Sequence, residues 1–579
     1  MKSSRLALTA LAAVLIAAPA ADAAGGKKEG TPSDPQAKHF VKKISVDRMT
    51  AHQAELQAIA DANDGTRTTV NELDTIGSGY QASVDYVVET LEAAGYDAQI
   101  DMFNFPFWQE ATPTLLQLNG NPEPYVRGTK LDDGSADVDF ITMGYSEDID
   151  LQDVPIVPID VVDPPVGGST SGCQQADYDA APDLTGKIAL IQRGECAFVD
   201  KWELAEANGA VGVILYNEGN TDARQNPIWV DNQIDTEIAA VITSYEVGNE
   251  LLQAYLAGEN PTVDFVVDTE VSDRFLPQVL ANTPDGDPNH VVVVGGHLDS
   301  VPEGPGINDD GSGVAMILAM AEELAKKRYD RQLQHQIRFM FFGAEEDGLI
   351  GSQDYAHRLS DAEVAKIDVM LDYDMLASAN FARLVYDGDG STEDNPAGPL
   401  GSGFVEQVHT DWFDAQGQVH EPIPFDGRSD YVGFTDEGIP AGGIFSGAEA
   451  PKTEQQEEWY GGDAGSWLDP CYHQACDNLT TVLTGIPPWT LDAAGAEGLD
   501  GDTVEERMAS AMKMAGGALR SYDEMSDAAS YATWFFATQD NALSGDALTA
   551  KKAKKGKAKV KAARAAKRIK ARPDHARAR

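Results

Sequence analysis

The amino-acid sequence predicts an α/β protein whose central sheet is mixed, mostly parallel and flanked by helices. Two short apolar runs, 291–294 (VVVV) and 337–342 (IRFMFF), have the composition of strands that are buried on both faces. Between these runs, one face of a helix is marked by Val314, Ile317, Leu318, Ala321 and Leu324. The alternation of strand and helix patterns continues to about residue 540, with a last helix expected near 528–538, and is typical of a sheet covered by helices.

The amino terminus has the pattern of an export signal. Lys2 and Arg5 precede an apolar run at 6–21, and the following small residues fit the pattern at which signal peptidase cleaves. The run has 16 residues, fewer than the roughly 20 that a membrane-spanning helix needs. We therefore expect residues 1–23 to be a signal peptide, and the mature protein to be secreted and extracellular without a membrane span. The alternative is a retained N-terminal anchor.

The next segments open a folded domain. Residues 24–37 are polar and rich in Pro and Gly, which predicts a linker or a short pro-segment. A helical period follows, most clearly at 82–94, and residues 97–107 then alternate like a strand. These patterns predict an α/β main domain that occupies 38–118 and resumes at 272–540.

Residues 119–271 differ in character, with short β-rich pieces and frequent Pro and Gly. Within them, 184–194 (LTGKIALIQRG), 196–198 (CAF) and 207–213 (ANGAVGV) together resemble a protease-associated domain. The resemblance implies an inserted β-rich domain that shapes access or binds a peptide partner. The segment has no cluster of catalytic residue types, and a structural insertion without a binding role is the alternative.

The charge distribution is strongly uneven. The whole chain carries a formal net charge of −51, yet residues 551–579 contain fourteen bases and one acid. The acidic body is expected to repel nucleic acid and anionic lipid. Residues 541–579 are expected to form a basic, unfolded tail that contacts the acidic body or anionic polymers, with a dispensable extension as the alternative.

The four cysteines favour two disulfides, because an exported chain meets oxidising conditions. Proximity along the chain predicts that Cys173 pairs with Cys196 and that Cys471 pairs with Cys476. Neither pair has the spacing of a zinc knuckle.

Acids and a histidine follow the predicted strands at the points where these strands end. They are His297, Asp299, Glu345, Glu346 and Asp374. Because strand ends converge on one edge of an α/β sheet, we expect these side chains to meet although they are far apart along the chain.

Two further segments carry the same residue types. Asp309 and Asp310 occupy a Gly-rich loop directly before the predicted helix, where backbone N–H groups favour negative charge. His473 lies inside the loop that the Cys471–Cys476 disulfide would stiffen. Two imidazoles with three carboxylates suit borderline divalent ions such as zinc.

The order of five motifs completes the pattern: GHLDSV, GINDDGSG, FFGAEEDGLIGS, DYDM and CYHQAC. In this order they resemble the co-catalytic di-zinc aminopeptidases of the bacterial leucyl aminopeptidase and aminopeptidase Y type. The resemblance is dense over 270–485 and loose over 38–118, and it implies a zinc-peptidase fold.

The resemblance also implies the metal ligands, carried over position by position. Asp309 would bridge two zinc ions, with His297 and Asp374 completing one site and Glu346 and His473 completing the other. Two zinc ions that share a water lower its pKa towards neutrality and polarise the scissile carbonyl.

Four more roles follow from the same resemblance. Glu345 would be the general base that takes the proton of the water, and Asp299 would orient His297 from behind. Tyr472 would support the oxyanion, and Arg428 would contact substrate. For the last two, an aromatic packed beside a disulfide and a surface salt bridge are the alternatives. Tyr431 departs from the common Ser-Asp-His pattern at the pocket wall.

The function implied is a secreted metallo-aminopeptidase that acts on peptides with a free N-terminus and favours apolar first residues such as Leu. A carboxypeptidase of the same fold is one alternative, and it would need basic groups aimed at a substrate carboxylate. A binding protein without catalytic activity on this scaffold is the other. His335, His357 and His409 lie outside every motif and are expected to be surface or structural residues.

Overall fold

The computed structural model describes residues 34–69, 76–129, 134–164, 168–194, 196–221, 224–230, 236–329, 332–392, 396–486, 499 and 504–539. The expected signal peptide, the expected linker up to residue 33 and the basic tail lie outside these residues. Among the described residues, no helix is both long enough and apolar enough to cross a membrane.

The strands follow in chain order: β1 (Gln99–Leu118), β2 (Arg127–Gly128), β3 (Phe140–Thr142), β4 (Ile149–Pro158), β5 (Ile188–Gln192), β6 (Gly212–Tyr216), β7 (Ala239–Thr243), β8 (Thr262–Asn282), β9 (Asp287–His297), β10 (His335–Phe342), β11 (Ile367–Asp372), β12 (Leu384–Tyr386), β13 (Glu421–Ile423) and β14 (Ala441–Phe445).

The helices are α1 (Pro35–Val41), α2 (Val46–Ala62), α3 (Ser78–Ala94), α4 (Gln175–Ala180), α5 (Phe198–Ala207), α6 (Tyr245–Leu256), α7 (Gly311–Leu324), α8 (Ile350–Arg358), α9 (Asp361–Val364), α10 (Ser402–Gln416), α11 (Tyr431–Asp436), α12 (Glu454–Tyr460), α13 (Leu479–Thr484), α14 (Val504–Lys513) and α15 (Gly517–Thr538). A short 3₁₀ helix covers Lys327–Tyr329.

The sheet is mixed and mostly parallel, and this confirms the predicted fold class. Its order is β13-β12-β14-β11-β9-β10-β8-β4-β5-β6-β7-β3-β2, and β1 pairs with β8 outside this path. Strands β10, β9, β11 and β14 are parallel neighbours. Strand β8 is antiparallel to β10 on one side and to β4 on the other, so it belongs to both halves of the sheet.

The central strands are buried on both faces, as their apolar composition predicted. In β9, Val292 and Val294 belong to one hydrophobic core, whereas Val291 and Val293 belong to the core on the opposite face. Strand β5 shows the same division between two other cores, which are built by the inserted segment together with the adjoining ends of β1 and β8. The inserted segment therefore has hydrophobic cores of its own.

A two-stranded ribbon joins the inserted segment to the main domain. Strand β1 pairs with β8 in antiparallel register from Gln99 opposite Leu280 to Leu118 opposite Val263. The strand pattern at 97–107 had predicted only the first part of β1. The pairing shifts register near Thr112, and this irregularity interrupts the alternation that a sequence pattern can detect.

The first and the last helix of the main domain both begin at an earlier residue than the sequence patterns suggested. The leader was expected to run to residue 37, but α1 begins at Pro35, which occupies the first turn, where its missing N–H is no loss. Asp34 caps this helix by accepting the amide of Gln36 at 2.8 Å, and it also accepts a hydrogen bond from the indole of Trp534. The last helix, expected near 528–538, begins at Gly517 and buries many small residues.

Both predicted disulfides are present. Cys173 is bonded to Cys196, and Cys471 is bonded to Cys476. The second bridge closes a loop of a few residues after the main sheet, and His473 lies within this loop.

Candidate active site

The carboxyl ends of three neighbouring parallel strands meet at one edge of the sheet. His297 is the last residue of β9, which lies between β10 and β11. Glu345 and Glu346 follow β10, and Asp374 lies two residues beyond the end of β11. The sequence-predicted side chains of these strands are therefore brought together, as expected for an α/β sheet.

Asp309 reaches the same edge from the loop before α7. The neighbouring Asp310 bonds to the backbone instead: its Oδ1 accepts hydrogen bonds from the amides of Gly313 at 2.9 Å and of Met375 at 3.1 Å. Asp310 thus caps α7 and anchors the segment after Asp374. Of the two adjacent acids, only Asp309 faces the histidines.

The carboxylate of Asp309 faces one histidine with each of its oxygens. His297 Nε2 lies 3.0 Å from Asp309 Oδ1, and His473 Nε2 lies 3.4 Å from Asp309 Oδ2. Asp374 Oδ1 is 3.5 Å from His297 Nε2, and Glu346 Oε2 is 3.1 Å from His473 Nε2. Two groups of three ligand-type side chains therefore share Asp309.

The chemistry of the two groups fits zinc. In each group, the nitrogen and oxygen atoms lie within 4.8 Å of one another, which leaves space for a small ion at the centre. Buried oxygens of Asp374 and Glu346 have no hydrogen-bond partner among the described residues. A buried carboxylate without a partner is costly, and a bound cation removes that cost. Imidazole and carboxylate ligands are the set that zinc takes in peptidases.

The electrostatics of the site point in the same direction. Burial alone would lower the pKa of His297. The neighbouring acids, of which Glu345 has the largest effect, outweigh burial and raise this pKa well above its usual value. Burial would also lower the pKa of His473, but Glu346 and Asp309 outweigh it and raise this pKa to about 11. Burial raises the pKa of Glu345 well above its usual value, and Glu346 and Asp374 add to this effect. The site thus concentrates negative charge that attracts a cation.

The disulfide loop positions Tyr472 as well as His473. The two rings stack with their centroids 3.8 Å apart. The Tyr472 hydroxyl lies 3.1 Å from Nη2 of Arg428, whose guanidinium also makes a two-point contact with Glu449. Tyr472 and Arg428 both line the cleft at the site, together with Asp309, Glu345 and His473.

Asp299 is buried behind His297, but its contacts differ from the expectation. Its Oδ1 is 3.8 Å from His297 Nδ1, which is longer than a hydrogen bond. The carboxylate instead accepts the backbone amides of Glu345 at 3.3 Å and of Glu346 at 3.2 Å. In this structure, Asp299 therefore holds the Glu-Glu turn directly, and its influence on His297 is electrostatic.

Three residues that support the site were missed by the sequence analysis. Asp477 accepts the backbone amides of Asn308 and Asp309, and Ser429 Oγ donates to Asp374 Oδ2 at 2.9 Å. Arg67 is fully buried and donates to the carbonyls of three residues in the loop before Asp309, namely Leu298, Pro305 and Gly306. A local signal existed for two of them, because Asp477 follows Cys476 and Ser429 follows Arg428.

A mixed α/β sheet that gathers imidazoles and carboxylates at the ends of its parallel strands, beside an open cleft, defines a zinc hydrolase. Comparison with known proteins gives the family. The profile of peptidase family M28 matches residues 278–486, and that of the PA domain matches residues 155–251. The chain belongs to peptidase family M28 and carries a protease-associated domain.

Relatives named as aminopeptidases cover most of the chain. An aminopeptidase of Pseudomonas aeruginosa (strain UCBPP-PA14) is 38% identical over 455 residues, which span 78% of this chain and 78% of that protein. A probable leucine aminopeptidase 2 of Aspergillus fumigatus is 38% identical over 408 residues, spanning 70% and 74% respectively. These relatives and the family confirm the predicted class of enzyme, a zinc-dependent aminopeptidase.

The fold is shared with a solved structure. BSAP, a zinc aminopeptidase from Bacillus subtilis, superimposes with a TM-score of 0.52 at 21% identity and covers 86% of this chain and 94% of its own.

Proposed function

We propose that the protein is a secreted aminopeptidase that uses two zinc ions and favours peptides with an apolar first residue such as Leu. The observation that carries the two-ion proposal is the position of Asp309, whose two carboxylate oxygens face His297 and His473 separately. One ion would be held by His297, Asp309 and Asp374, and the other by Asp309, Glu346 and His473. Zinc ions held there would activate a water and polarise the scissile carbonyl.

Glu345 is the residue that we assign as general base. It lines the cleft beside both groups, and a carboxylate that binds neither ion can accept a proton from the water and return it to the leaving amine. Asp299 holds the backbone of Glu345 from behind, which fixes where the carboxylate points. The neighbouring Glu346 faces His473. Glu346 would therefore bind metal, and Glu345 would transfer the proton.

Tyr472 is assigned to the oxyanion that forms at the attacked carbonyl. Burial raises the pKa of its hydroxyl well above the usual value, and nearby acids add to this effect. The hydroxyl therefore stays protonated and can donate a hydrogen bond to developing negative charge. Arg428, which contacts this hydroxyl and Glu449, would hold it in place at the cleft wall and contact substrate there.

The charge of the cleft favours a substrate N-terminus over a C-terminus. Four of its lining residues are acids, and the two that we assign to neither ion, Glu345 and Asp426, can attract a cationic α-amino group. Its arginine, Arg428, is already paired with Glu449. A carboxypeptidase would need a cation available to bind a carboxylate, and the other basic residue that lines the cleft in the described part of the chain, His473, faces Asp309 and Glu346.

The preference for an apolar first residue rests on the other lining side chains. They are Met375, Tyr386, Ile423, Phe445 and Ala448. Apolar contact with a Leu side chain is worth about 1.5–3 kcal/mol when that side chain is fully buried. A relative whose name is probable leucine aminopeptidase 2 supports the same preference. Two disulfides support secretion, because such bonds persist in oxidising compartments.

The test is a zinc count in three variants, together with two substrates. Asp309→Ala should lose both ions because it contributes to both groups, whereas His473→Ala should lose one. His420→Ala, a control at a histidine outside the groups, should keep both. The wild type should cleave leucine p-nitroanilide and leave N-acetyl-leucine p-nitroanilide intact. Retention of two ions by Asp309→Ala, or cleavage of the blocked substrate, would refute the proposal.

A further inference from the structure

A second cluster of ligand-type side chains lies at the opposite edge of the sheet from the active site. It consists of His290 in β9, His335 at the start of β10 and Asp368 in β11. These are the same three neighbouring strands whose other ends carry the catalytic residues. His290 and His297 are seven positions apart in β9, a distance of about 23 Å at 3.3 Å per residue.

The three side chains converge on the carboxylate of Asp368. His290 Nδ1 is 3.1 Å from Asp368 Oδ2, and His335 Nδ1 is 3.2 Å from the same oxygen. The two imidazole rings lie side by side, with centroids 5.3 Å apart and planes inclined by 27°. Both Nδ1 atoms therefore face one point in front of Asp368, and all three ligand atoms lie within 4.8 Å of one another.

We propose that His290, His335 and Asp368 form a binding site for a divalent transition-metal ion of the zinc type, separate from the active site. A zinc ion with bonds of about 2.0–2.2 Å in tetrahedral geometry holds neighbouring ligand atoms about 3.3–3.6 Å apart. The separations of 3.1 and 3.2 Å in this cluster lie just below that range, so a small outward movement of the side chains would admit the ion. These separations match the 3.0–3.5 Å separations between the ligand atoms at the active site.

The surroundings of the cluster suit a cation with an open coordination position. The His335 side chain is 9% exposed and that of Asp368 is 22% exposed, whereas that of His290 is 51% exposed. The buried His335 and the partly buried Asp368 hold their ligand atoms in place, and the exposed His290 leaves a path for the ion and room for a water ligand. Asp287 adds negative charge nearby, since its pKa is lowered first by hydrogen bonds from Asn289 and then by both histidines.

The ligand types select the class of ion. Two imidazoles and one carboxylate favour zinc, copper, nickel or cobalt over magnesium and calcium, which prefer oxygen ligands. The imidazoles must be neutral to bind, so occupancy should fall as the pH drops below their pKa. An ion at this edge would tie together the starts of three central strands, and it would stabilise the folded protein according to its affinity.

The experiment compares zinc binding by the full chain and two variants. His290→Ala removes the most exposed ligand, so folding should be unaffected. His357→Ala is the matched control, because His357 is a partly exposed histidine that lies 3.5 Å from Asp436 and outside the cluster. Each protein is equilibrated with buffered free zinc at neutral pH, and zinc per chain is measured by elemental analysis alongside leucine p-nitroanilide turnover.

We expect His290→Ala to hold one zinc fewer than the wild type and than His357→Ala, with turnover unchanged in all three. Added zinc should raise the unfolding temperature of the wild type more than that of His290→Ala. Equal zinc content in the wild type and His290→Ala across the whole range of free zinc would overturn the proposal. Because the readout is a difference of one ion between proteins with intact active sites, it does not depend on how many ions the active site holds.

Discussion

Asp477 accepts the backbone amide of Asp309 on its Oδ2 at 3.0 Å and that of Asn308 on its Oδ1 at 2.7 Å. Asp477 directly follows Cys476, so one carboxylate joins the disulfide loop that carries His473 to the loop that carries Asp309. A displacement of either loop would therefore move Asp309, the residue that both candidate metal groups share.

Replacing Asp477 by Asn should weaken metal binding. The amide keeps one acceptor oxygen but turns an N–H donor towards one of the two backbone amides. Hydrogen bonds to charged groups contribute about 1.5–3 kcal/mol, which corresponds to roughly a tenfold or larger loss of zinc affinity if the loop relaxes. Zinc affinity can be measured by competition with a chelator. Asp414→Asn, at a side chain that is 76% exposed, is the control for the charge change. Equal affinities in the two variants would contradict the proposed positioning role.

Glu345→Gln should keep its zinc and lose turnover. The substitution removes a proton acceptor but leaves the groups around Asp309 intact. General acid–base catalysis contributes about 10²–10⁴ in rate, so kcat should fall by at least about two orders of magnitude. Elemental analysis and steady-state kinetics on the same preparation check this. Loss of zinc would show that Glu345 is a ligand, and the assignment of the two glutamates would then be wrong.

Tyr472→Phe should lower kcat with little change in KM or zinc content. The hydroxyl would act only when negative charge develops on the substrate, and removal of one such donor costs about 10²–10³ in kcat. Tyr531→Phe, at a tyrosine of α15 that stacks on Trp412, is the control. If Tyr472→Phe retains the kcat of the wild type, the hydroxyl serves only to pack beside Arg428.

The two disulfides should differ in what they support. The Cys471–Cys476 loop is short, so in the chain-entropy model its bridge adds only about 2 kcal/mol of stability. It positions Tyr472 and His473, however, and small misplacements at a reacting site are costly. The double variant Cys471→Ser with Cys476→Ser should thus lose activity and zinc more than stability. The double variant Cys173→Ser with Cys196→Ser, in the inserted domain, should lower stability and spare the turnover of leucine p-nitroanilide. The reverse pattern would refute this division.

Arg67→Lys should destabilise the fold and weaken zinc binding. The buried guanidinium donates to the carbonyls of Pro305 at 2.8 Å and Gly306 at 2.6 Å, and also to Leu298. A lysine cannot reproduce this fork of donors, and each buried carbonyl left unsatisfied costs about 1–3 kcal/mol. The midpoint of denaturant unfolding measures the effect. Arg358→Lys, at an arginine that is 48% exposed and paired with Asp354, should change stability by less than about 1 kcal/mol. Similar shifts in the two variants would contradict the supporting role of Arg67.

Much of the fold was predictable because its signals are local. The run 291–294 alternates between two cores, and a uniformly apolar strand is what such burial requires. His297 and Asp374 stand directly after such runs, so their meeting at one sheet edge followed from strand order alone. Boundaries were less predictable. The small residues of α15 do not form a pronounced apolar stripe, which is why its first half was not recognised.

The supporting residues show what local pattern cannot reveal. Arg67 stands between threonines, and nothing in its neighbourhood signals a buried guanidinium. Its partners are backbone carbonyls, which every residue has, and they reach Arg67 only after the loop before Asp309 has folded. His335 and Asp368 illustrate the same limit, because their proximity depends on the register between β9 and its two neighbours.

The pairing of β1 with β8 has a consequence for the order of events during biosynthesis. Gln99 lies opposite Leu280, so the first strand of the ribbon leaves the ribosome before the whole inserted domain, and its partner leaves after it. Domains generally fold as units while the chain is being made, and pairing between distant segments is slow. The inserted domain, which has its own cores, is therefore expected to fold first, and β8 is expected to pair with β1 afterwards. Nascent chains that end before residue 282 should accordingly contain a folded insert and an incomplete catalytic sheet.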